Sequence, residues 1–245
     1  QTDLLAFFVT ALQEVTKSFS FDLWENEIKI EYETKKDIHE LTDIAGINPN
    51  KLMHQLSRVS NQATAIVADV GNNQMWCAQS LELNAEQSFL TSGGMGAMGY
   101  ALPAAIGVSI ATKNSPVVVI SGDGGFQVNI QELQTVKRNK LPLKMVILNN
   151  KSLGMIRQFQ DAYFDSCYQS TVWGYDVPDF ELLAQAYGIK SYTIHNPEEV
   201  EEGLRLLWED PLKPFLLNVL IDLHTNVYPK MMYGSPITEM QSEST

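Results

Sequence analysis

Cysteine and histidine are scarce in this chain, and their scarcity removes whole classes of chemistry. The two cysteines, Cys77 and Cys167, form no CxxC pair and share no metal-ligand spacing with histidine. That excludes a zinc knuckle or a dithiol redox motif and points to a reduced, cytoplasmic protein. The four histidines, His39, His54, His195 and His224, are scattered and read as surface or ordinary core residues. Basic residues are also few: 17 Lys and Arg stand against 29 Asp and Glu, a net charge of −12. The chain therefore lacks the electrostatic footprint of a nucleic-acid binder, and its acidic surplus reads as solubility. No apolar run reaches membrane-spanning length, so no membrane partner is expected. The opening Gln1-Thr2-Asp3-Leu4-Leu5 has neither an initiator methionine nor a basic n-region. It is no signal peptide, and the chain reads as a piece cut from something longer.

What is there is an alternation of short apolar runs with helical patterns. Residues 3–17 read as a helix, with Leu4, Leu5, Phe8, Leu12 and Val15 near 3.6-residue spacing. Residues 18–47 are weakly patterned and read as a linker. Asn48-Pro49 starts a helix that runs to about Ser60, the amide capping and the proline taking the first turn. Strands are expected over 65–68, 117–120, 145–148, 191–194 and 215–221. Helices are expected over 74–83, 97–112, 129–139, 179–187 and 197–210, with Gly188 stopping the fourth. This order predicts an α/β fold of three layers, α/β/α, with a mainly parallel sheet covered on both faces. After Asp222 the chain is polar and irregular.

Asp123, in Gly122-Asp123-Gly124-Gly125, and Asn150, in Asn149-Asn150, lie 27 positions apart, each just after an apolar run. A strand, a helix and a strand would place two oxygen ligands at the carboxyl ends of neighbouring parallel strands, where doubly wound sheets bind ligands. A carboxylate, an amide oxygen and glycine-rich backbone suit a hard cation bridged to a diphosphate. Two further segments should converge there, DVGNNQMW over 69–76 and SGGMGAMG over 92–99. Helix N-termini supply free N–H groups, and glycines let backbone approach a phosphate. The nearest basic residues, Lys151 and Arg157, are too few for a charge clamp, so backbone and a metal must neutralise the anion. Asn149 reads as a strand-end cap, and Trp76 and Cys77 as core.

These segments resemble the cofactor-binding domain of thiamine diphosphate enzymes, and among them the catalytic subunit of acetolactate synthase (acetohydroxyacid synthase). The family motifs run GGLGTMGxGLPAAIGA, GDGSFQMNxQEL and LNN. This chain reads GGMGAMGYALPAAIG over 93–107, GDGGFQVNIQEL over 122–133 and LNN over 148–150. The likeness covers roughly residues 48–240, including Tyr228-Pro229, Gly234 and Pro236 in the tail. It implies that Asp123, Asn150 and the backbone carbonyl of Ser152 bind Mg²⁺, and that Gly124 and Gly125 contact the diphosphate. Met98 would prop the cofactor in a V shape, and the Gly96 carbonyl would accept a hydrogen bond from its aminopyrimidine. Gly154 and Met155 would complete the cofactor pocket. Asn72 and Asn73 stand where the family has Gln-His, and both can still donate hydrogen bonds.

The same resemblance implies an activity: decarboxylation of pyruvate and ligation of the two-carbon unit to a 2-oxo acid. It also says what to expect elsewhere. The glutamate that activates the aminopyrimidine belongs to an N-terminal domain of a neighbouring protomer, so no catalytic residue is expected within this chain. FAD, where used, belongs to a middle domain, of which 1–47 would be the trailing helix and linker. Residues 48–222 would form the thiamine diphosphate and Mg²⁺ domain and 223–245 a tail, in a homodimer or larger homo-oligomer. Phe159 falls where acetolactate synthases commonly carry a tryptophan in the substrate pocket, and Leu153 replaces a glutamine. Those departures leave open a related decarboxylase, or a carboligase with another acceptor.

Overall fold

The computed structural model describes residues 9–10, 20–34, 36–41, 44–236 and 239–242. The chain divides into two units, Gln1–His39 and Glu40–Thr245. In the first, helix α1 (Asp22–Thr34) occupies what the sequence reading takes as linker. Ser20 Oγ accepts the Asp22 N–H at 3.3 Å, and the Phe21 and Trp24 rings meet edge to face at 6.4 Å. Its apolar residues, Leu23, Trp24, Ile28, Ile30 and Tyr32, spread over more than half the helix circumference, so no single stripe marks it. Of the helix expected over 3–17, only Val9 and Thr10, both helical, fall among the described residues.

The second unit is built on a parallel sheet of six strands: β1 (Ala65–Ala68), β2 (Ser88–Thr91), β3 (Val117–Gly122), β4 (Leu143–Asn149), β5 (Lys190–Ile194) and β6 (Phe215–Leu220). Their spatial order is β2-β1-β3-β4-β6-β5, every neighbour parallel. Side chains alternate across the pleat. Val118, Ile120, Val146 and Leu148 face one layer, formed by α2 (Pro49–Val59), α3 (Asn72–Ser80) and α9 (Val200–Leu207). Val117, Val119, Met145 and Ile147 face the other, formed by α4 (Ala101–Ala111), α6 (Leu133–Asn139) and α8 (Phe180–Ala186). Burial on both faces is why these strands read as unbroken apolar runs, and each such side chain gains roughly 1.5–3 kcal/mol by leaving water. Trp76 and Cys77 lie in this core, as expected.

The helix starts follow from their caps. Asn48 Oδ1 accepts the Lys51 N–H at 3.0 Å ahead of Pro49, and Asp179 Oδ1 accepts the N–H groups of Glu181 and Leu182. Several expected helices are shorter or broken: that over 74–83 ends at Ser80, and that over 197–210 opens as a 3₁₀ turn, Pro197–Glu199, and ends at Leu207. The one expected from 97 begins at Ala101, because Gly99 turns at φ +82° and holds the chain in a loop first. The one expected over 129–139 is preceded by a separate short helix, α5 (Asp123–Val128), and a 3₁₀ turn, Ile130–Glu132. Helix α7 (Gly154–Tyr163) follows β4. The tail is not wholly irregular: β7 (Lys230–Met231) pairs antiparallel with β8 (Met240–Gln241).

Two features of the sheet surroundings recur below. At the amino end of β4, the Lys144 ammonium is buried, donates to the carbonyls of Asp210 and Lys213 at 2.7 Å each, and lies 5.3 Å from the Trp208 ring centre. Burial lowers its pKa to about 8. Toward the tail, Gln158 of α7 exchanges two hydrogen bonds with the backbone of Val227, each 2.9 Å, while Arg157 bridges Asp161 and Asn226.

Candidate functional site

The strand order reverses direction between β1 and β3: the chain leaves β1 toward β2 on one side and leaves β3 toward β4 on the other. Ligands of open α/β sheets sit in the crevice that such a reversal opens at the carboxyl ends. A cleft of about 260 Å³ lies there, and all four glycine- and asparagine-rich segments reach it. Its walls include Asn72, Asn73, Gly96, Met98, Asp123, Gly124, Gly125, Asn150, Ser152, Gly154 and Met155. The structure therefore brings together every residue singled out for cofactor or metal, with one exception among the site residues. Phe159 does not line this cleft. It is half-exposed on the wall of an adjacent apolar groove, its ring 4.5 Å from that of Tyr163. Met155 belongs to both cavities and forms the partition between them.

Asp123 opens α5 directly after β3 and is 2% exposed. Its Oδ1 accepts the Gly124 N–H at 2.7 Å and the Tyr175 hydroxyl at 3.1 Å, whereas Oδ2 is buried without a partner. Burial raises the carboxyl pKa to about 6, against the pull of hydrogen bonds from Gly124, Tyr175 and the 151–152 backbone. An ionised oxygen without a partner in a buried site is costly unless a cation meets it. Asn150 Oδ1 accepts the Ser152 N–H at 3.1 Å, which leaves that amide oxygen a second lone pair. Among the described residues no cluster of three His, Cys, Asp or Glu could hold a metal. A cation here would draw on one carboxylate, neutral oxygens and its ligand's own charge.

The asparagine pair divides its labour. Asn73 Nδ2 donates to the Asp69 carbonyl at 2.7 Å and secures the turn into α3. Asn72 is buried with both its amide oxygen and its amide nitrogen unpartnered, a state that a polar ligand in the cleft would relieve. Glycines leave room for these side chains in the cleft. A Cβ at Gly154 would stand 2.5 Å from Asn150 Nδ2 and 2.8 Å from Asn72 Nδ2, and one at Gly124 would meet Leu153 and the Tyr175 hydroxyl at 2.8 Å. Gly96 turns at φ +67° with open space beside it, and Met98 is part-exposed, its Cε 3.3 Å from the Gly124 Cβ position. Asn149 Oδ1 accepts the Lys151 N–H at 3.2 Å, the strand-end capping expected of it.

Two residues have roles that the motif reading did not assign, although one of them, Asp69, opens the 69–76 segment. Asp69 is buried and fully used: Oδ1 accepts from Val70 and Gly99, and Oδ2 from Ala101, at 2.8–3.0 Å. It caps α4 from the exit of β1 and so fixes the glycine loop that carries Gly96 and Met98. Burial raises its pKa, and these donors oppose the rise. An acidic residue straight after a buried strand was the available signal. Tyr175 is the other, and no pattern flags it, since it lies in irregular chain 52 residues from Asp123. Burial pushes its hydroxyl pKa up, and the Asp123 charge adds to the rise.

An unpartnered carboxylate oxygen, an unpartnered amide and two glycines, Gly124 and Gly154, where a Cβ would crowd the walls make a cradle for a cation and a polyanion. Residues 69–219 match the family "Thiamine pyrophosphate enzyme, C-terminal TPP binding domain", thiamine pyrophosphate being another name for thiamine diphosphate. The chain belongs to this family. Among curated proteins it is similar to the "Acetolactate synthase isozyme 2 large subunit" of Escherichia coli (strain K12), 44% identical over 189 residues, which are 77% of this chain and 34% of that protein. It is 39% identical over 194 residues to the "Acetolactate synthase large subunit" of Lactococcus lactis subsp. lactis (strain IL1403), covering 79% of this chain and 33% of that one. To the "Probable acetolactate synthase large subunit" of Methanocaldococcus jannaschii it is 40% identical over 184 residues, 72% of this chain and 30% of that one. The chain thus spans about a third of the length of the curated relatives it matches.

Proposed function

We propose that this chain is the thiamine diphosphate- and Mg²⁺-binding part of an acetolactate synthase-like transferase, which decarboxylates pyruvate and ligates the two-carbon unit to a 2-oxo acid. The observation that carries the reading is Asp123, buried at the sheet's switch point with one carboxylate oxygen that has no hydrogen-bond partner. In this reading Asp123 Oδ2, Asn150 Oδ1 and the Ser152 carbonyl hold Mg²⁺. These single-oxygen ligands, together with diphosphate oxygens and water, suit the octahedron that Mg²⁺ demands.

When bound, thiamine diphosphate supplies the electron sink that decarboxylation of a 2-oxo acid requires. The residues of this chain do the rest by placement. The Asn72 amide and the backbone at Gly124 and Gly125 meet the diphosphate, Met98 props the ring system, and the Gly96 carbonyl orients the aminopyrimidine. Met155 keeps the reacting end apolar, which favours dispersal of charge. The base-activating glutamate is supplied from outside this chain, by another protomer of a homo-oligomer, so the chain by itself binds cofactor without turning over. Any FAD is bound elsewhere in the full-length protein. No described helix is long and apolar enough to cross a membrane, and a cytoplasmic enzyme acting on small 2-oxo acids fits this reading.

Calorimetric titration with thiamine diphosphate in the presence of Mg²⁺, and again with EDTA, tests the assignment. Binding should require the metal, and Asp123→Ala should abolish it, weakening affinity by at least ~100-fold because the diphosphate loses its bridging counter-charge. Equal affinity in that variant sinks the ligand assignment. Phe159, set in the neighbouring groove, favours keeping a second acceptor in view. Product analysis of the full-length enzyme fed pyruvate separates the cases: acetolactate supports the synthase, whereas acetaldehyde or a mixed ketol supports the decarboxylase or the other carboligase.

A further inference from the structure

The geometry points to Tyr175 as the residue that sets which cation the site takes, an inference that rests on the cofactor reading above. Tyr175 lies outside every motif, in the irregular chain between α7 and α8. Its loop is nonetheless tied to the metal loop, because the Leu153 N–H donates to the Thr171 carbonyl at 3.1 Å. Its hydroxyl donates to Asp123 Oδ1 at 3.1 Å, and the Gly124 N–H donates to the same oxygen at 2.7 Å. Oδ1 is committed twice while Oδ2 is buried and bare. Gly124 makes the approach possible, since a Cβ there would stand 2.8 Å from the Tyr175 oxygen.

A carboxylate held in this way offers a cation one oxygen rather than two. Mg²⁺ takes single oxygens in a near-ideal octahedron, whereas Ca²⁺, with longer bonds and higher coordination number, accepts both oxygens of one carboxylate. Tyr175 is therefore a positioning residue: its hydroxyl enforces one-oxygen coordination by Asp123 and biases the site toward Mg²⁺ over Ca²⁺.

The test is calorimetric binding of thiamine diphosphate to the purified protein and to Tyr175→Phe, with Mg²⁺ and Ca²⁺ titrated separately and circular dichroism as a check of fold. The wild type should half-saturate at lower Mg²⁺ than Ca²⁺. Tyr175→Phe should lose roughly tenfold of that preference, the size of one hydrogen bond to a charged group. A residue with a merely structural role would shift both metals alike, so an unchanged ratio overturns the proposal. If Tyr175→Phe does not fold, the wild type and Tyr175→His, which keeps a donor, decide. Mg²⁺ preference in both supports the proposal, and its absence from either overturns it. No metal-dependent binding by the wild type would remove the cofactor reading itself, and this inference with it.

Discussion

At the amino end of β4 a lysine is buried; at the carboxyl end of the adjacent β3 an aspartate is. Lys144 has two carbonyl acceptors and a tryptophan face around its ammonium, so that end of the sheet is complete in itself. Asp123 has one oxygen satisfied and the other without a partner. Asp69 shows that the carboxyl end can satisfy a carboxylate fully when structure is the purpose, for its two oxygens take three backbone N–H groups. All three are buried and ionisable; what separates a site from a support is whether the chain provides the last partner.

The largest effect on folding is expected from Asp69→Ala. It strips acceptors from three amides, two of them buried, and should cost about 3–5 kcal/mol in urea denaturation. Asp123→Asn, which removes a buried charge whose second oxygen has no partner, should leave stability equal or higher while abolishing metal-dependent binding. A large loss of stability in Asp123→Asn would break the contrast between the two aspartates.

The pH dependence separates the two ends of the sheet by sign. Asp123 titrates near 6 when folded against 3.8 ordinarily, so folding takes up a proton. Its contribution is greatest below about pH 4 and falls by on the order of 3 kcal/mol as pH rises to 6. Lys144 titrates near 8 against 10.5, so folding releases a proton. Its contribution rises between pH 8 and 10.5, by less than that of Asp123 falls in its own window. Stability curves for the metal-free wild type, Asp123→Asn and Lys144→Met should differ in those two windows, each variant flattening only its own. The smallest effect is that of Lys144→Met at neutral pH, about 1–2 kcal/mol, since the methionine keeps the packed stem and leaves two carbonyls unpaired.

The buried strands were legible because both faces of the sheet are covered, which writes each as an apolar run. Strand β2 was not, since Ser88, Phe89, Leu90 and Thr91 lie at the sheet edge and none is fully buried. Helix α1 was hidden by apolar residues scattered around its circumference. The break after Val128 was invisible because Asn129 and Gly99 settle it between them: the Asn129 amide donates to the Gly99 carbonyl at 2.7 Å, thirty residues away. The cleft itself was legible through glycines and asparagines at strand exits. Tyr175 was not, because it acts from a loop whose position is set by tertiary hydrogen bonds to α7 and to the 153 backbone, and Asp69 was visible as a residue but not as a cap.

The reciprocal pairing of Gln158 with Val227 works as a strut across the domain. Met155 and Phe159 ride on the same helix as Gln158, one turn to either side of it or less. The register of that helix over the cleft is therefore anchored by chain laid down 69 residues later. Sequence changes near 226–227 would be transmitted as a small rotation of the partition between the two chambers, so evolution could retune what enters the cleft from a position that lines only the neighbouring groove.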